Sequence, residues 1–149
     1  MIYLDTCIVI YAVEDQGETG NLTRSALTAT NQNVAMSALT LHECLVGPLK
    51  SGDFGLRDRY LELYDSVIQV PISPAAYIRA AELRALFGVK TPDALHLCAA
   101  EMAGCTEFWT RNHPLEAASH GFAVNILDPD RPAERLEERD GSTQGQQPS

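Results

Sequence analysis

Basic side chains are scarce in this sequence. Eleven Lys and Arg stand against 20 Asp and Glu, a formal net charge of -9 over 149 residues. Proteins that hold nucleic acid by general electrostatics carry a basic footprint. A nucleic-acid role would therefore need a local basic rim, or metal ions that neutralise clustered acids. Cysteine pairing is also missing: Cys7, Cys44, Cys98 and Cys105 form no CxxC and no zinc-ribbon spacing. Three of them lie in apolar, helix-like runs and read as free, buried thiols of a reduced compartment. A zinc site from Cys7, Cys44, His96 and Cys98 has suitable ligand types, but its spacings match no zinc signature. No apolar run reaches the roughly 20 residues that cross a bilayer. Met1 to Ile10 has no basic leader and carries Asp5 in its middle, so a soluble, cytoplasmic protein is expected. No internal repeat is visible.

The sequence does have enough apolar side chains, at 45%, to fill one core, and its length suits one domain. Short apolar runs at 1–4, 34–36, 67–70, 107–110 and 122–127 predict strands. Helical patterns fill 6–13, 21–30, 38–46, 56–65, 74–87 and 91–103. Gly47-Pro48 should stop the third helix, while Ser73-Pro74 and Thr91-Pro92 open the last two. Strands alternating with helices predict an α/β domain over 1–127, its mostly parallel sheet covered on both faces. From 128 to 149 the chain turns polar and rich in Pro, Glu, Gln and Gly, which predicts a largely disordered tail.

Most acids fall in loops or on solvent-facing helix positions. Asp5, Glu43 and Asp93 do not. Asp5 ends an apolar strand, placing it at the carboxyl edge of the sheet, where ligands of open parallel sheets bind. Glu43 interrupts the apolar helix ALTLHECLV, and Asp93 sits in the first turn of a helix continuing as ALHLCAA. Each also has a local explanation: Asp5 as a helix cap, Asp93 as a complement to a helix dipole, Glu43 as a solvent-facing acid. Three carboxylates in one pocket would repel by roughly 4 kcal/mol per close pair at an effective dielectric of about 20. Hard divalent cations such as Mg²⁺ or Mn²⁺ offset that repulsion with a preference for carboxylate oxygen.

The segments YLDTCIVIYAV, SALTLHECLVGPL and KTPDALHLCAAEMAG, in this order and spacing, resemble the PIN-domain family, specifically VapC-type toxins of bacterial toxin–antitoxin pairs. The likeness spans about Met1 to Leu127. It implies a three-layer α/β/α fold and a divalent-metal endoribonuclease with catalytic Asp5, Glu43 and Asp93, of which Asp5 and Asp93 bind Mg²⁺ or Mn²⁺. Thr6 and Thr110 match supporting positions. Asn112 stands where the family often has a further Asp, which weakens a second metal site; Glu116 is a candidate substitute. Cys7 replaces a more usual polar residue and is assigned no role.

Lys90 and Arg111 flank the expected pocket and are candidate RNA contacts, with solvated surface charge as the alternative. His96, three residues after Asp93, either acts as a general acid or meets RNA, or is pinned by a neighbouring carboxylate or backbone group; His42 faces elsewhere. The resemblance further implies a VapB-like antitoxin partner, an RNA substrate and a homodimer built on helical faces. A PIN-like protein that binds partners without cutting, its site impaired by Asn112, is the alternative function. A haloacid-dehalogenase phosphatase is set aside because Cys7 stands where its second Asp belongs.

Overall fold

A computed structural model describes residues 1–130; the expected tail lies outside the described residues from 131 onward. Five strands, β1 (Ile2–Leu4), β2 (Val34–Ser37), β3 (Ile68–Val70), β4 (Glu107–Trp109) and β5 (Ala123–Val124), form one sheet. Their order is β3-β2-β1-β4-β5, and every pairing is parallel. Central β1 is buried along its whole length, as a strand covered on both faces requires.

Side chains alternate across a strand, and here they feed two cores. Tyr3 and Phe108 join residues of α5 (Pro74–Phe87), α6 (Thr91–Met102) and α7 (His113–Ala118) on one face. Ile2, Leu4 and Trp109 point the other way. There they meet α1 (Thr6–Glu14), α2 (Glu18–Ala29), α3 (Ala38–Ser51) and α4 (Phe54–Ser66). The result is the expected three-layer α/β/α sandwich, with a sheet that is parallel throughout. No helix among the described residues is long and apolar enough to cross a membrane.

Several boundaries differ from the sequence reading. α3 does not stop at Gly47-Pro48 but runs to Ser51 and closes on left-handed Gly52, φ 75°. Pro48 is buried, and its carbonyl accepts from the amides of Gly52 and Asp53, so the helix continues past the missing N–H. α2 starts at Glu18, three residues early, because Asp15 caps the backbone N–H groups of Gly17 and Gly20 at 2.8 and 2.9 Å. The stretch read as a loop after β4 contains α7, and the last strand shrinks to two residues. That short helix begins with Pro114 in its first turn, a placement that favours helix initiation.

Candidate active site

The register of the sheet sets the position of the first acid. Leu4 pairs with Trp109, and the Asp5 N–H then donates to the Trp109 carbonyl at 2.9 Å. Asp5 is thereby held at the carboxyl edge beside the segment that leaves β4. Its Oδ1 accepts from the Thr6 N–H at 2.8 Å, the capping role the sequence offered. Its Oδ2 accepts from the buried Thr110 hydroxyl at 2.7 Å. Asp5 is only 6% exposed, and these two donors fix the orientation of its carboxylate.

Glu43 reaches the same place from α3, and Asp93 from the first turn of α6. Together with Asp5, Thr6, Cys7 and Asn112 they line one groove of about 510 Å³. Asn112 Nδ2 donates to Asp93 Oδ2 at 3.0 Å, and the Asn112 N–H donates to the Thr110 hydroxyl at 3.0 Å. Burial raises the Asp93 carboxyl above its ordinary value, and the negative charge of Asp5 adds to the effect; His96 and Asn112 work against it. Glu43 shifts the other way, below the ordinary range, chiefly because His96 hydrogen-bonds its carboxylate; burial opposes that shift. Two acids of one groove thus differ in environment, the arrangement that separates roles at catalytic sites.

Behind Glu43 lies a polar chain that sequence reasoning did not find. Tyr3 Oη is hydrogen-bonded to His96 Nδ1 at 2.7 Å, to Ser37 Oγ at 2.7 Å and to Thr40 Oγ1 at 3.3 Å. His96 Nε2 contacts Glu43 Oε1, and the Thr6 hydroxyl donates to that same oxygen at 3.0 Å. Burial pushes the Tyr3 phenol up to about 12, so it stays protonated and can donate to Nδ1. We assign the proton of His96 to Nε2, where it is donated to Glu43. The one available hint was a Tyr inside a doubly buried strand, since a buried hydroxyl needs a partner.

Other expected residues fall in different places. His96 is 1% exposed and cannot present its ring to RNA; it is the pinned histidine of the two readings. Lys90 is exposed at the start of α6 and does not line the groove, whereas Arg111 does. Glu116 is not among the residues that line it; its Oε2 lies 3.4 Å from His113 Nδ1, and its Oε1 is buried without a hydrogen-bond partner among the described residues. Cys7 does line the groove, but burial and then the charge of Asp5 push its thiol up to about 11, so the thiolate is disfavoured.

The PIN domain family model matches residues 2–120. The chain belongs to the PIN domain family. Among solved structures, this PIN domain is similar to a toxin–antitoxin complex from Klebsiella pneumoniae, at 27% identity and a TM-score of 0.70. The match covers 85% of this chain and 98% of that one. VapBC2 from Rickettsia felis, bound to a DNA fragment from its promoter, aligns at 22% identity and a TM-score of 0.66, over 84% of this chain and 98% of that one. VapC20 of Mycobacterium tuberculosis, a toxin that cleaves the sarcin-ricin loop, aligns at 13% and 0.68, over 79% and 95%. The last two share the fold. No curated protein matches by sequence.

PIN domains generally depend on a divalent metal. Among the described residues no three His, Cys, Asp or Glu side chains gather closely enough to form a ready cage. The donor set nonetheless suits Mg²⁺ or Mn²⁺. Mg²⁺ usually takes one or two carboxylates and fills its remaining positions with water and phosphate oxygen. Asp5 and Asp93 would provide that pair, and the Asp93 carboxyl, raised first by burial and then by the charge of Asp5, is one that a bound cation would favour in its ionised form.

Proposed function

We propose that this PIN domain is the toxin of a VapBC-type toxin–antitoxin pair, a metal-dependent endoribonuclease that hydrolyses RNA phosphodiester bonds. The observation that carries the reading is the meeting of Asp5, Glu43 and Asp93, drawn from a strand end and two helices, in one groove at the carboxyl edge. Membership of the PIN family and the likeness to the Klebsiella toxin–antitoxin complex support it.

Asp5 and Asp93 would hold Mg²⁺ or Mn²⁺. When bound, the ion supplies positive charge at the scissile phosphate and acidifies a nearby water. Glu43, fixed by Thr6 and His96, orients the attacking water and takes up its proton. The water oxygen bonds to phosphorus and the bond to the 3′ oxygen breaks. That oxygen gains a proton from solvent, leaving 5′-phosphate and 3′-hydroxyl ends. Thr110 and Asn112 keep Asp5 and Asp93 aimed at the groove.

The toxin reading carries its partners with it: a VapB-like antitoxin whose tail covers the acidic groove, a second copy of this chain against helical faces such as exposed Tyr77 and Ile78 of α5, and the cytoplasm as compartment. A short reading frame for a DNA-binding protein beside the gene would support the pairing. For the activity itself, the purified chain with Mg²⁺ or Mn²⁺ should cut tRNA, rRNA or mRNA, and Asp5→Ala should abolish cutting while leaving the far-ultraviolet circular dichroism unchanged. A folded wild-type protein that cuts none of them overturns the nuclease reading in favour of a PIN-like binding module.

A further inference from the structure

The groove carries one feature that the carboxylates do not explain. Tyr11 of α1 and Arg111, which follows β4, face each other on its rim. The Arg111 guanidinium lies 5.8 Å from the centre of the Tyr11 ring, and its Nη1 donates to Tyr11 Oη at 3.5 Å. Three acids line the same groove, yet among the described residues Arg111 forms an ion pair with none of them. An arginine beside that much negative charge would normally turn towards it. Instead the aromatic ring holds it aside, exposed and ready to pair.

We propose that Tyr11 and Arg111 form the subsite for a nucleotide next to the scissile bond of a single-stranded RNA. The inference rests on the nuclease reading above. Arg111 takes that nucleotide's phosphate, for which its planar fork is suited, and Tyr11 stacks its base. Aromatic and guanidinium planes are what proteins use to hold unstacked bases. The pair also answers the charge problem: in a chain of net charge -9, it sets a basic and aromatic contact where an RNA strand must enter an acidic groove. A double helix keeps its bases stacked on each other and gains little from such a ring, so the subsite selects unpaired RNA.

The test uses the full chain carrying Glu43→Gln, which keeps both carboxylates proposed to hold the metal, with Mn²⁺ present, so that binding is measured without cutting. Fluorescence anisotropy follows a short labelled oligoadenylate and an abasic oligomer of equal length. Adding Tyr11→Ala should weaken the oligoadenylate about tenfold and leave the abasic oligomer unchanged; Tyr11→Phe should stay within about twofold of the parent, since the ring remains. Arg111→Ala should weaken both oligomers and reduce the slope of log Kd against log salt by about 0.7, and Arg111→Lys should recover the slope but not all of the affinity. With Glu43 intact, Tyr11→Ala should raise KM about tenfold and change kcat little, because stacking persists through the reaction. Parent-like RNA binding in Tyr11→Ala and Arg111→Ala overturns the subsite alone. Loss of polyglutamate binding in Arg111→Ala, with RNA affinity unchanged, overturns it in favour of a protein partner. A parent that binds no RNA, beside a native chain that cuts none, overturns the subsite and the nuclease reading together.

Discussion

At the scale of single residues, the Tyr3 hydroxyl sits beneath the site with Ser37, Thr40 and His96 around it. Removing it leaves buried polar atoms without a partner, which costs about 1–3 kcal/mol for each unsatisfied group. Tyr3→Phe should therefore lower the stability read from urea unfolding by that order. It should also lower kcat more than it raises KM, because His96 loses the bond that fixes its ring and Glu43 loses its aim. Asp93 gives a second prediction at this scale. Its carboxyl is held above the ordinary value of 3.8, so ionising it is harder in the fold than in the unfolded chain. The associated stability is complete below the unfolded value and is lost as pH rises through the higher folded value. Asp93→Asn should then match the wild type in acid and be the more stable protein at neutral pH without metal; urea titrations at the two ends of that range check it.

At the scale of elements, the two ends of α1 show how the site is framed. Its start is Asp5, a cap and a site residue together; its end leads into the turn where Asp15 caps Gly17 and Gly20. A Cβ on Gly20 would sit 2.0 Å from the Asp15 carbonyl oxygen, a backbone atom that cannot swing away. Gly52, which ends α3, has open space around it but a φ of 75°. Gly52→Ala should thus cost only about 1–2 kcal/mol of left-handed strain, whereas Gly20→Ala should cost more and shift α2. Thermal unfolding of both variants tests the order. The run of α3 through Pro48 was not legible from sequence. A Gly-Pro pair is a strong local stop, and only the burial of Pro48 and the closure of the following turn on its carbonyl override it. α7 was missed for a related reason: six residues carry too little periodicity to stand out from a loop.

At the scale of the whole molecule, the parallel sheet brings acids from remote parts of the chain to one edge, where His96 contacts Glu43 and, among the described residues, no Lys or Arg forms an ion pair with Asp5 or Asp93. A cation that binds the folded form alone stabilises it, by about 2.7 kcal/mol at a hundred times its Kd. Mg²⁺ or Mn²⁺ should therefore raise Tm by several degrees, EDTA should reverse the rise, and Asp5→Asn should remove most of it. Equal melting with and without the ions would contradict the site.

Much of this molecule was written locally. The two-sided apolar strands, the Pro-opened α5 and α6 and the placement of Asp5, Glu43 and Asp93 on them depend on neighbours a few residues apart, so the sequence alone determined the α/β class and the three acids as candidates. Convergence is not local. That Asp5 and Asp93 share a groove while Glu116 stays outside it, that His96 turns inward to Tyr3 and Glu43, and that Arg111 rests on Tyr11 follow from strand order and register. Those were decided only when the parallel sheet set residues about a hundred positions apart side by side, because packing and desolvation act across space and leave no fixed spacing along the chain.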